Sequence, residues 1–142
     1  MRIFALFSLF LLSGCSLFIP LQVECHTEKE ECPTVIQVQE MIDLLGSYHG
    51  DFDFSEDLLI VRWYDSDTVF DVGFPAAGFT KNKNDVTVRH SDVFLHELTH
   101  VFFIRTVQDG DPNHEYPPGP WTQHDNEIIE EAKLEARKIF TP

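Results

Sequence analysis

The sequence predicts an α+β domain, and three observations predict it. Leu58-Leu59-Ile60-Val61-Arg62-Trp63-Tyr64 has the β-branched and aromatic content of a buried strand. Two stretches, Thr34 to Leu45 and Trp121 to Phe140, place apolar residues at helical spacing. Val93 to Arg105 is apolar nearly all round, the pattern of a buried helix. Strands followed by helices suggest a small, mostly antiparallel sheet packed against them.

The chain opens with Met1-Arg2 and an almost unbroken apolar run from Ile3 to Leu12. That is the length of a signal-peptide core and too short to span a bilayer. Leu12-Ser13-Gly14-Cys15 follows. It resembles the lipobox of bacterial lipoproteins, which implies cleavage before Cys15 and lipidation of its thiol. Ser16 in place of an aspartate then implies sorting to the outer membrane. The expected organisation is a signal peptide over 1–14, a lipidated tether with a small disulfide loop over 15–32, and one folded domain over 33–142. Within the second part, Leu17 to Glu24 reads as the tether.

With Cys15 lipidated, Cys25 and Cys32 remain as a pair around a short polar loop. An exported protein favours a disulfide between them. The alternative is a metal site built from Cys25, His26 and Cys32. The formal net charge of −14 argues against nucleic acid and anionic lipid headgroups as partners. It reads first as a solubility device.

Thr34 suits a helix N-cap, Gln37 completes a capping box, and Gly46 is a natural stop. Ser47 to Asp57 reads as a loop. After the strand at 58–64, Val69 to Phe74 is a second, shorter strand broken by Pro75-Ala76-Ala77-Gly78. Phe79-Thr80 and Val86-Thr87-Val88 flank the turn-rich tip Lys81 to Asp85, which predicts a hairpin. Ser91 is placed to cap the next helix and Asp92 suits its positive end. Gln108 to Pro120 is rich in turn residues and proline, so it is loop. The last helix begins at Trp121-Thr122.

The chemistry concentrates in Leu95-His96-Glu97-Leu98-Thr99-His100-Val101. Residues four apart share a helix face, so His96 and His100 can direct both imidazoles at one ion. Glu97 is turned away from that line but stands where it can take a proton from a metal-activated water. In a helix this apolar, two histidines and a glutamate need partners, and a metal serves all three.

A catalytic zinc site usually takes three protein ligands and keeps one open position. His114, in the Gly- and Pro-rich loop, ranks first as the third ligand. His124 ranks second, Glu127 third, and His90 is a weaker candidate. Asp111 or Glu115 could orient the other ring nitrogen of His114.

The HExxH pattern with its apolar flanks resembles the zincin metallopeptidases. Asn126-Glu127 and Glu131 resemble the ligand helix of the gluzincins, with glutamate in place of the expected aspartate. The longer metzincin pattern is absent, since Phe103 and Thr106 stand where it has glycine and histidine. The resemblance implies a minimal zincin-like domain binding Zn2+ through His96, His100 and His114, with Glu97 as general base. It further implies a protein or peptide substrate held by β-addition to the Phe79–Val88 hairpin edge. Tyr116 or His124 would stabilise the oxyanion, and Arg105 would pair with Asp109, Asp111 or a carboxylate that orients a ligand histidine, or cap its helix end. The expected function is a zinc-dependent peptidase, lipid-anchored in the bacterial envelope and facing the periplasm. The alternative is a non-catalytic zinc-binding envelope lipoprotein.

Overall fold

A computed structural model of the protein describes residues 20–50, 57–111, 114 and 119–140. The signal peptide, Cys15, Ser16, Glu115 and Tyr116 lie outside the described residues. In order, the chain forms β1 (Leu21–His26), α1 (Val35–His49), β2 (Leu59–Tyr64), β3 (Phe70–Asp71), β4 (Pro75–Ala76), β5 (Gly78–Asn82), β6 (Asp85–Val88), α2 (Ser91–Val107) and α3 (Gln123–Ile139).

The α+β class holds, and the sheet is mixed. Its order is β1-β2-β6-β5. The expected hairpin, β5 with β6, is antiparallel. The β1–β2 and β2–β6 pairs run parallel, which corrects the mostly antiparallel expectation for this sheet. The reason lies in the connections. Parallel neighbours need long crossovers. The chain supplies one through α1 and another through the segment holding β3, β4 and β5.

The tether reading of Leu21 to Glu24 is also corrected. These residues belong to β1 and pair in register with Leu59 to Arg62, so the folded domain starts well before residue 33. Leu21 and Val23 pack against the core, the period-2 alternation of a half-buried strand. The loop after β1 is tied in as well. Cys25 and Cys32 form a disulfide. Beside it, the Asp65 carboxylate accepts the backbone N–H groups of Glu28, Lys29 and Glu30 at 2.9, 3.0 and 3.1 Å.

The core lies between the sheet and the helices. Leu59, Val61 and Trp63 of β2 and Val86 and Val88 of β6 meet Val38, Met41, Ile42 and Leu45 of α1 and Phe94, Leu95, Leu98 and Val101 of α2. Ile128, Ala132 and Ala136 place α3 against the other two helices. The predicted capping box of Thr34 and Gln37 is present. Thr122 and Asp125 form a second at the start of α3.

Three boundaries differ from expectation. Gly46 does not stop α1, which continues to His49 and is capped by Gly50. The extra turn lets the His49 ring stack on Phe102, with centroids 4.7 Å apart. The cap of α2 is His90 rather than Ser91, its Nδ1 accepting the Val93 N–H. Residues 69–74 do not join the main sheet. Phe70–Asp71 instead pairs with Pro75–Ala76 as a separate two-stranded ribbon.

Candidate metal centre

Helix α2 lies along β5 and β6 and carries the HExxH residues between the sheet and α3. A close approach makes this possible. A Cβ on Gly78 would stand 2.5 Å from Val93 Cγ1 and 2.8 Å from the Thr87 carbonyl. His96, Glu97 and His100 therefore open into a cleft of about 480 Å³ beside strand β5.

The loop after α2 returns over this cleft and delivers His114. Its Nε2 lies 3.2 Å from His100 Nε2, which lies 3.3 Å from His96 Nε2. One donor atom from each of the three histidines falls within 4.8 Å of the others. Ligand nitrogens about 2.0–2.1 Å from a tetrahedral zinc stand roughly 3.3–3.4 Å apart. Both measured separations are close to that value. The donor set suits such an ion, and the residues fit the group.

The loop's own backbone orients the ligands. The Gly110 carbonyl accepts a hydrogen bond from His100 Nδ1 at 2.5 Å, which leaves Nε2 as the lone-pair nitrogen facing the cluster. The Asp111 carbonyl accepts the His114 N–H at 3.0 Å. The Asp111 carboxylate accepts the backbone N–H of Trp121 at 3.2 Å. Trp121 does the orienting that the sequence reading missed. It is fully buried, stacks on His114, and lies with its ring centroid 5.0 Å from His96 and 4.7 Å from His100. A lone tryptophan at the start of a helix gives no sequence signal for this role.

Electrostatics keep the histidines ready to bind a cation. Burial, followed by the charges of His100, His114 and Lys133, pushes His96 down to about 3. Burial is also the main cause lowering His100 and His114. Neutral imidazoles with free lone pairs are the form that ligates. Burial pushes Glu97 up to about 7, against a hydrogen bond from the Thr80 hydroxyl to Glu97 Oε2 at 2.8 Å. Thr80 also lies 2.8 Å from the Glu97 carbonyl, so β5 fixes both the side chain and its turn of helix.

The other candidates lie elsewhere. His124 and Glu127 are exposed on α3 and pair with each other at 3.7 Å. Neither residue belongs to the histidine cluster or to the lining of its cleft. His90 caps α2. Arg105 donates to the Lys83 carbonyl at 2.7 Å and to Asn84 Oδ1 at 3.2 Å, fastening α2 to the hairpin tip. Cys25 and Cys32 are consumed by their disulfide, which removes the alternative metal site there.

Fold and site together define an α+β domain with a three-histidine cluster, half-buried at His96 and His114 and buried at His100, and an adjacent carboxyl group. No family model, curated protein or solved structure matches this chain.

Proposed function

We propose that the protein is a zinc-dependent peptidase of the zincin type, held in the bacterial cell envelope by a lipid on Cys15. The observation that carries this reading is one cleft in which His96, His100, His114 and Glu97 meet the edge strand β5. A bound zinc supplies Lewis acidity and lowers the pKa of water towards neutrality. His96, His100 and His114 would hold it. Glu97 takes a proton from the attacking water and hands it to the leaving amine. Thr80 keeps the carboxyl aimed. Residues Gly78, Phe79 and Thr80 line the cleft, so an extended peptide can add to β5 beside Glu97.

The disulfide supports an oxidising compartment. No helix among the described residues is long and apolar enough to cross a membrane, so the proposed anchorage rests on the lipobox resemblance. Replacing Cys15 with alanine should release the protein from the membrane fraction.

The deciding experiment pairs zinc analysis with peptide cleavage. The parent should carry about one zinc per chain and cleave peptides. Glu97→Gln should keep the zinc and lose turnover by at least about 100-fold. Equal behaviour of parent and variant would leave a non-catalytic zinc lipoprotein. Absence of zinc from both would reject the metal reading itself.

A further inference from the structure

The ribbon of β3 and β4 has no part in the main sheet, yet its tip is apolar. Val72 is 40% exposed and Phe74 65% exposed. Solvent-facing tips are usually polar, and an exposed aromatic beside a functional cleft points to binding. The tip is a built feature. Gly73 adopts φ +96°, a conformation that a side chain would disfavour, and its N–H is held by Asp71 Oδ1 at 3.1 Å. The Val72 N–H bonds the Phe74 carbonyl at 3.3 Å. This turn aims Val72 and Phe74 into the cleft that holds the three histidines.

The rest of that cleft sharpens the point. Its polar side chains are Thr80, Glu97 and the three histidines, each already engaged at the metal centre. The remaining walls are Val72 and Phe74 from the ribbon, Phe79 from β5 and Ile104 from α2. A second cleft shares Phe74, His96 and Glu97 but continues towards His90, Asp92 and Lys133. The charged side chains of Asp92 and Lys133 thus belong to the second cleft, which Ala76, Ala77 and Val93 also line.

We propose that Val72 and Phe74, with Phe79 and Ile104, form a subsite for one bulky apolar side chain next to the peptide bond at the metal. This deepens the peptidase reading and rests on it. The substrate class is an extended peptide carrying Leu, Ile, Met or Phe at that position. Among the described residues, apolar burial is the recognition these four side chains offer beyond the main-chain edge.

The test uses the zinc-loaded full chain in detergent and a series of hydroxamates whose tail is methyl, isobutyl, benzyl or aminopropyl. Calorimetry should show the isobutyl or benzyl compound binding about 10-fold or more tighter than the methyl one, the value expected for burying one such group. The aminopropyl compound should show no gain. The Val72→Ser/Phe74→Ser double variant should keep its zinc stoichiometry and reduce the apolar gain to under about 3-fold. Lys133→Gln, in the second cleft, should keep the gain. A zinc-loaded protein with no apolar gain, or a gain that survives the double variant, overturns the subsite while sparing the metal centre. Failure to bind zinc overturns the peptidase reading and the subsite together.

Discussion

The indole of Trp121 lies flat on the imidazole of His114, with ring centroids 4.2 Å apart and planes within 10°. His114 comes from an irregular loop and has φ +51°, so its backbone alone is a poor guarantee of its position. The stacked indole supplies the missing constraint. The indole is itself held by its Nε1–H bond to Asn126 Oδ1 at 2.9 Å, and the Trp121 backbone N–H donates to the Asp111 carboxylate.

Trp121→Phe should therefore keep the fold and weaken zinc about 10-fold, the usual scale for a residue that orients a ligand. A competition titration with a colorimetric chelator measures this. The same geometry makes Trp121 a reporter. Cobalt or copper added to the metal-free protein should quench its emission, while Trp63, packed against Phe94 in the core, should stay bright. Unchanged emission on metal binding would place the ion elsewhere.

The ligand set itself separates His114 from the residues of α3. His114→Ala should lower zinc affinity by at least about 100-fold, since it removes one of three protein ligands. Glu127→Ala and His124→Ala should leave it unchanged, because both side chains are exposed, pair with each other and lie outside the histidine cluster. Zinc per chain after dialysis against a weak chelator reads this directly.

Metal removal is a stability experiment as well. A ligand present at about 1,000 times its Kd adds roughly 4 kcal/mol to the native state. EDTA should therefore lower the melting temperature of the parent by several degrees and leave that of His96→Ala nearly unmoved. Equal shifts, or no shift in the parent, would show that the histidine cluster is a metal-free core feature.

Much of this site was legible in the sequence because its signals are local. The i, i+4 spacing of His96 and His100 places both on one helix face whatever surrounds them. His114 was reachable because a loop rich in Gly, Asp and Pro can fold back, and the cluster needed a third donor. Helices α1 and α3 followed from their stripes and caps. Non-local partners were not legible. Nothing near Trp121 announces that its indole will meet a loop histidine. Arg105 faces the hairpin because α2 crosses β5 and β6, a fact of tertiary packing. Strand β1 was missed because Leu21 to Glu24 is short and becomes a strand only through its pairing with β2.

Asp65 gives the pH prediction. The N–H groups of Glu28, Lys29 and Glu30 hold its carboxylate below the ordinary value of 3.8, with Glu28 the largest cause. A group whose folded pKa is depressed contributes stability above its unfolded pKa and loses it as pH falls through the folded one. The parent should thus melt well above Asp65→Asn at pH 7, and the gap should close below about pH 4. A gap that does not shrink between pH 7 and pH 2.5 would mean that the carboxylate charge is not what holds the disulfide loop.

Gly110 is the position where a single methyl group should disturb the metal without touching a ligand. Its backbone runs so close to α2 that a Cβ would stand 2.7 Å from Ile104 Cγ1 and 3.0 Å from Ile104 Cδ1. Its carbonyl is also the acceptor that fixes the His100 tautomer. Gly110→Ala must push the loop away from the helix or displace Ile104. Overpacking of this kind costs about 1–3 kcal/mol. Moving the loop lengthens the His100 contact and shifts His114, so zinc affinity should fall about 10-fold. Ile104→Ala in the same chain opens the space that the methyl group needs. The double variant should therefore recover most of the zinc affinity lost by Gly110→Ala, although it has lost an apolar side chain from the cleft wall. Affinity that stays low in the double variant would show that the close approach to Ile104 is not what seats the loop.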